Sequence, residues 1–173
     1  MLKKKKAFFI DRDGVINEDS AYPHKPEHIV FKDGIFDLCA KASEKGYIIV
    51  VVTNQAGVAK GYFQEEDVLL LHEWMKERFR ERGVEIAGFY FCPYHKNATV
   101  DAYRVDSDCR KPKPGMILQA VKDLDIDLSA SLMVGDKESD RIELPELRSL
   151  VIKSKYVPER WDVEDLRDIE KYL

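Results

Sequence analysis

The sequence has no apolar run of membrane-spanning length, no surplus of positive charge, few cysteines, and no repeat or low-complexity tract. Each absence removes a class of protein. Without a stretch of about twenty apolar residues, no membrane-spanning helix is expected. The net charge of -4 lacks the basic surplus typical of a nucleic-acid binder. Three cysteines, Cys39, Cys92 and Cys109, are too few and odd in number for a disulfide framework. The basic start, Met1 to Lys6, is followed by only four apolar residues, Ala7, Phe8, Phe9 and Ile10, too short for the core of a secretion signal. The lysines therefore read as a solvated lead-in to a first strand, and the expected location is the cytoplasm.

What remains is an ordinary globular chain of 173 residues, expected to form one domain over 1–173. With 45% hydrophobic and 35% charged residues it can bury a core and keep a solvated surface. No heptad or broad apolar stripe calls for assembly, so a monomer is expected.

Periodicity places strands at Lys6–Ile10, Tyr47–Val52, Ile86–Phe91, Ser131–Val134 and Ser149–Ile152. Tyr47–Val52 is a β-branched run of the kind buried on both faces. Helices are expected at Gly34–Lys45, Gln64–Arg82, Gly115–Leu124 and Val163–Tyr172. Cys39 falls on the apolar face of the first helix, Trp74 reads as core of the second, and His72 as a residue at its edge. Cys92–Pro114 reads as a long irregular loop. Strands alternating with helices imply an α/β fold, a parallel sheet covered on both faces.

Three polar clusters each fall just behind an expected strand: Asp11-Arg-Asp-Gly14, Thr53-Asn-Gln55 and Gly135-Asp136-Lys137. Ligands bind such sheets at the carboxyl ends of the strands, so these clusters should meet in one crevice. Extended geometry would put Asp11 and Asp13 on one side and turn Arg12 away. Gly14 then allows a sharp turn. Carboxylates facing one pocket need a cation or a shared proton, and an all-oxygen set suits Mg²⁺. Thr53 and Asn54 offer donors to phosphate oxygens, and Lys111 or Arg110 offers positive charge. Asp11 could then attack phosphorus while Asp13 moves the proton. Singly these features are ordinary turn chemistry; in this order, each behind its own strand, they point to phosphoryl transfer.

The strings Phe9-Ile-Asp-Arg-Asp-Gly-Val-Ile-Asn17, Val51-Val-Thr-Asn-Gln-Ala-Gly-Val-Ala-Lys-Gly61, Cys109-Arg-Lys-Pro-Lys-Pro-Gly-Met116 and Met133-Val-Gly-Asp-Lys-Glu-Ser-Asp140 resemble, in order, the four motifs of the haloacid dehalogenase (HAD) phosphatase superfamily. The longer forms are similar to the branch that holds the D-glycero-D-manno-heptose 1,7-bisphosphate 7-phosphatases and the histidinol-phosphate phosphatases. The resemblance implies a Rossmann-like three-layer α/β/α fold with a minimal cap or none. It implies Asp11 as nucleophile, Asp13 as general acid/base, and Thr53 and Lys111 steadying the phosphoryl group. Mg²⁺ would be held by the Asp11 and Asp136 carboxylates and the Asp13 backbone carbonyl. Substrate contacts would come from Asp19 to Tyr22, Thr53, Asn54, Gln55, Arg110, Lys111 and Lys137. The implied partner is a small phosphorylated metabolite, a sugar bisphosphate foremost, with histidinol phosphate as the alternative. A non-catalytic sugar-phosphate-binding module and a nucleic-acid 3′-phosphatase are weaker readings, and neither nucleic acid nor membrane is an expected partner.

The chain departs from the family pattern at its structural zinc loop. Cys92 and Cys109 are present, but Tyr94 and Ser107 stand where two further ligands belong, and His95 is one residue out of register. A closed zinc site wants four Cys or His ligands. A site built from Cys92, His95 and Cys109 is therefore not expected to hold zinc. Arg141-Ile-Glu-Leu-Pro145 also replaces a small-residue helix, since Pro145 limits any helix there to a short turn.

Overall fold

The computed structural model describes residues 2–173; Met1, part of the basic start, lies outside them. Lys3, Lys4 and Lys5 are exposed, as a solvated lead-in should be. Five strands form one sheet: β1 Lys6–Ile10, β2 Tyr47–Asn54, β3 Ile86–Cys92, β4 Leu132–Gly135 and β5 Arg148–Val151. Their order is β3-β2-β1-β4-β5 and every pairing is parallel. Helices α1 Ile35–Glu44, α2 Glu65–Arg80 and α3 Gly115–Leu124 make the crossovers.

Side-chain alternation along β1 explains the layers. Phe8 and Ile10 point into a core shared with Ile35, Leu38 and Cys39 of α1 and Leu71, Met75 and Phe79 of α2. Ala7 and Phe9 point the other way, into a core shared with Met116, Ile117 and Ala120 of α3. The sheet is thus covered on both faces, the three-layer α/β/α arrangement of the Rossmann-like class. Among the described residues no helix is long and apolar enough to cross a membrane.

The strand order positions the site. From β1 the chain moves outward through β2 to β3, then returns across the sheet to β4 and β5. The direction reverses between β1 and β4, so a crevice opens beyond the carboxyl ends of those two strands. Asp11 follows β1 and Asp136 follows β4. The Asp11 backbone N–H donates to the Val134 carbonyl at 3.0 Å, which fastens the two strand ends together.

Three expectations need correction and a fourth is refined. The C-terminal segment is not an α-helix from Val163 but a 3-10 helix over Leu166–Tyr172. Val163 is instead extended, bridged to Ile152, and the Lys153 N–H donates to its carbonyl, so helix cannot begin before the Asp165 cap. Trp74 packs against the core as expected but is only half buried there, stacked on Phe31. His72 is not an edge residue; it is 3% exposed, against the β3 aromatics Phe89 and Phe91. Finally, Cys92 and Cys109 are joined in a disulfide. Cys92 ends β3, and the turn that brings the Gly115 N–H to the Asp108 carbonyl folds Cys109 back to a Cα–Cα distance of 5.5 Å, within bonding range.

Candidate active site

At the end of β1 the chain stops being extended. The Arg12 carbonyl accepts from the Ile16 N–H at 2.8 Å, which closes a tight loop, and Gly14 adopts φ +91°. A Cβ on Gly14 would lie 2.0 Å from Asp136 Oδ2, so the bare glycine is what lets the β1 and β4 loops approach. The same turn overrides the strand period that would send Arg12 away. Arg12 is fully buried and curls back onto Asp13, Nε donating to Oδ1 at 3.0 Å and Nη2 to Oδ2 at 3.2 Å.

Asp11 is 5% exposed. Its Oδ1 accepts from the Arg12 N–H at 2.8 Å and pairs with Lys111 Nζ at 3.0 Å. Burial pushes the Asp11 carboxyl up to about 6, with Lys111 acting in the opposite sense. Burial, reinforced by the charge of Asp11, pushes Asp136 up to about 8. Burial works against the Lys111 ammonium, but Asp11 and Asp140 together outweigh it and raise its pKa. Lys111 is fixed through its backbone as well: its N–H donates to Asn54 Oδ1 at 3.0 Å, and Asn54 Nδ2 donates to its carbonyl at 3.2 Å.

Sequence reasoning missed Asp140. It is fully buried, and Oδ1 accepts from Lys111 Nζ at 2.5 Å. Oδ2 accepts the N–H groups of Asp136 and Lys137, both at 3.0 Å. One carboxylate therefore holds the Lys111 charge and shapes the loop after β4. Its only sequence signal is its place at the end of the fourth motif.

Ligand oxygens of Asp11, Asp136 and Asp140 lie within 4.8 Å of one another. Both Asp140 oxygens are already engaged, whereas Asp136 Oδ1 is buried with no partner among the described residues. A buried, unpartnered carboxylate oxygen beside a second carboxylate fits a hard cation such as Mg²⁺. The Asp13 carboxylate is not in this cluster. It is held by Arg12, by Asn17 Nδ2 at 3.0 Å and by Gln55 Nε2 at 3.2 Å.

Thr53 and Asn54 prove to be the last residues of β2 and sit at the sheet's rim. Thr53 is buried, and its Oγ1 accepts from Gln55 Nε2 at 2.8 Å. Asp11, Asp13, Thr53, Asn54, Lys111 and Lys137 line one small cleft, along with Ser139. It shares Asp13, Asn54, Lys137 and Ser139 with a cavity of about 420 Å³ that also meets Asp19, Tyr22, Gln55 and Arg110. The structure thus gathers the sequence-derived phosphate and substrate residues around two adjoining hollows. Lys137 pairs with Asp19 at 3.4 Å and lies 4.7 Å from the ring centroid of Tyr156, whose hydroxyl donates to Asp19 Oδ2 at 2.5 Å. Tyr156, from the loop after β5, was not foreseen in this wall. The remaining set stands apart: Cys92 and Cys109 are bonded to each other, and His95 Nδ1 accepts from the Asn97 N–H at 3.0 Å.

Comparison with known proteins agrees with this architecture. The family model described as polynucleotide kinase 3 phosphatase matches residues 6–157. A D-glycero-alpha-D-manno-heptose-1,7-bisphosphate 7-phosphatase of Burkholderia mallei is 53% identical over 137 residues, 79% of this chain and 72% of that protein. A D-glycero-beta-D-manno-heptose-1,7-bisphosphate 7-phosphatase of Vibrio cholerae is 40% identical over 179 residues, 98% of this chain and 96% of that one. The crystal structure of D,D-heptose 1,7-bisphosphate phosphatase from B. bronchiseptica, complexed with magnesium and phosphate, superposes with a TM-score of 0.80 at 26% identity, covering 96% of this chain and 97% of that one. With the motifs, the reversal point of the sheet and these relatives in agreement, the chain belongs to the HAD superfamily of phosphatases, in the branch of the heptose bisphosphate phosphatases.

Proposed function

We propose that the chain is a Mg²⁺-dependent phosphomonoester hydrolase that removes the 7-phosphate of D-glycero-D-manno-heptose 1,7-bisphosphate, working as a cytoplasmic monomer in making a cell-surface polysaccharide precursor. The observation that carries this reading is the buried Asp11 carboxylate held 3.0 Å from Lys111 Nζ, beside the unpartnered oxygen of Asp136. Asp11 Oδ1 is taken by Lys111 and the Arg12 N–H, which leaves Oδ2 to attack phosphorus. The Oδ2–P bond forms as the ester P–O bond breaks, and Asp13 gives a proton to the departing alkoxide. Asp13 then takes a proton from water as that water attacks the phospho-aspartate, releasing inorganic phosphate and restoring Asp11. Thr53 and Lys111 donate to the phosphoryl oxygens, where charge spreads in the transition state. A Mg²⁺ ion held by the Asp11 and Asp136 carboxylates and the Asp13 backbone carbonyl would screen the repulsion between carboxylate and phosphate.

The substrate assignment rests on the names of the relatives and on the cavity walls. Asp19, Tyr22, Asn54, Gln55, Arg110 and Lys137 surround space for a sugar. One terminal nitrogen of the Arg110 guanidinium, Nη1, is buried without a partner. Arg110 also lines this cavity, and a guanidinium suits a second phosphate, as a bisphosphate would bring.

The description of the matching family model favours one rival, a nucleic-acid 3′-phosphatase. The net charge of -4 speaks against it. A panel assay with Mg²⁺ separates the readings. It contains both anomers of the heptose bisphosphate, histidinol phosphate and a 3′-phosphorylated oligonucleotide. The highest kcat/KM is expected on a heptose bisphosphate, and a higher value on another member reassigns the substrate. Asp11→Asn should abolish turnover with the fold intact; undiminished hydrolysis would remove the mechanism.

A further inference from the structure

Arg12 is the largest fully buried side chain among those of the core, yet it carries a charge. Among the described residues its only ion pair is with Asp13, whose side chain is 15% exposed at the cavity. Its other contacts are with neutral acceptors. Nη2 donates to the Pro23 carbonyl at 2.8 Å and to Gln55 Oε1 at 3.1 Å, and Nη1 lies 3.1 Å from His72 Nε2. A guanidinium has donors only, so His72 Nε2 must present its lone pair and the ring proton must sit on Nδ1. That Nδ1 is buried and finds no partner among the described residues.

A structural histidine would have little reason to bury an unsatisfied N–H. An apolar residue of similar size would fill the space between α2 and β3 without that cost. The ring instead stacks on Phe89, with centroids 4.6 Å apart and planes 23° apart, and its Nε2 faces the Arg12 guanidinium. Burial, and secondarily the Arg12 charge, hold the His72 pKa well below its ordinary value, which keeps the ring the acceptor this contact requires.

We propose that Arg12 is a positioning residue that fixes the Asp13 carboxylate by a two-point contact, and that His72, as a neutral acceptor on α2, fixes Arg12. This rests on the reading of Asp13 as the general acid/base. Asp13 must reach first the departing ester oxygen and then a water, and a proton donor displaced by a fraction of an ångström loses much of its effect. The chain His72–Arg12–Asp13 runs from the packed helix layer to the reacting group, so its orientation is set by a rigid element rather than by the β1 loop.

The test measures steady-state hydrolysis of an alkyl phosphate monoester, whose departing oxygen needs a proton, with saturating Mg²⁺, and ¹⁵N-histidine NMR of the unmodified protein. His72→Leu removes the acceptor and keeps the bulk; His72→Gln puts an acceptor oxygen near the place of Nε2; Arg12→Lys keeps the charge and loses the two-point contact. His72→Leu and Arg12→Lys should each lower kcat about tenfold or more with KM within about threefold, the pattern of an interaction expressed in the transition state. His72→Gln should recover kcat to within about threefold of the unmodified protein. NMR should show His72 protonated on Nδ1 and bare on Nε2. A folded His72→Leu protein with undiminished kcat overturns the proposal, as does His72→Gln no better than His72→Leu. Should His72→Leu fail to fold, the NMR arm decides alone: a proton on Nε2 refutes the contact in the unmodified protein. Asp13→Asn separates this failure from that of the underlying reading. If it turns over normally the acid/base assignment itself falls; if it is inactive while His72→Leu is normal, only the positioning chain falls.

Discussion

Asp140 Oδ1 accepts a 2.5 Å hydrogen bond from Lys111 Nζ, and this contact joins the loop before α3 to the loop after β4. Because Lys111 also pairs with Asp11 at 3.0 Å, Asp140 determines how much positive charge the proposed nucleophile feels. Asp140→Ala should therefore damage both catalysis and stability. It leaves a buried ammonium with one carboxylate and two backbone N–H groups with none, a loss of about 3 kcal/mol or more. Urea unfolding should show that loss, and kcat should fall alongside it; a variant of unchanged midpoint would mean the contact is idle.

Much of this arrangement was legible in the chain. The YIIVVV run is typical of a doubly buried strand, and Asp11 and Asp136 each sit behind an expected strand, where a parallel sheet gathers its ligand-binding loops. What escaped was set by contacts remote in sequence or by chain reversal. Arg12 was misread because strand periodicity was carried one residue past the point where the backbone turns. His72 looks like any helix-edge histidine until β3 packs on it. Asp140 stood in a recognised string, but its role depends on a loop curling back by four residues. Tyr156 reaches Asp19 across 137 positions, and the Cys92–Cys109 bond depends on a turn that no spacing reveals.

The raised pKa values of Asp11 and Asp136 set a pH dependence for metal binding. In the unfolded chain both carboxyls lose their protons near 3.8; in the metal-free fold they do so at about 6 and about 8. Between those limits the folded state holds more protons, so its stability falls as pH rises. Cation binding favours the ionised forms and reverses the penalty. The rise in Tm produced by Mg²⁺ over EDTA should thus be larger at about pH 8 than at about pH 5. An equal or smaller rise at the higher pH would contradict this.

The Cys92–Cys109 bond bears on zinc. With both sulfurs used by each other, His95 is left as one ligand where a closed site needs four. Elemental analysis of purified protein should find far less than one zinc per chain. Thiol titration of unfolded, unreduced protein should find one thiol, that of Cys39, and three after reduction. Stoichiometric zinc would show that the loop closes around metal instead.

Gly14 offers the sharpest test of the crevice itself. Its φ of +91° lies where side chains are rarely tolerated, and a Cβ there would sit 2.0 Å from Asp136 Oδ2 and 2.4 Å from Cγ. Gly14→Ala must therefore either flip the β1 loop or push Asp136 aside. Backbone strain of about 1–3 kcal/mol should appear in denaturant unfolding. The larger effect falls on the cation: displacing Asp136 separates it from Asp11, so the Mg²⁺ concentration for half-maximal activity should rise at least about tenfold, as a ligand loss of about 1.4 kcal/mol or more requires. Gly83 is the control, because its φ is also positive, at +76°, but nothing lies within 4 Å of a Cβ there. Gly83→Ala should show comparable backbone strain and leave the Mg²⁺ requirement unchanged. If the two variants altered that requirement alike, the close approach of Gly14 to Asp136 would have no part in building the site.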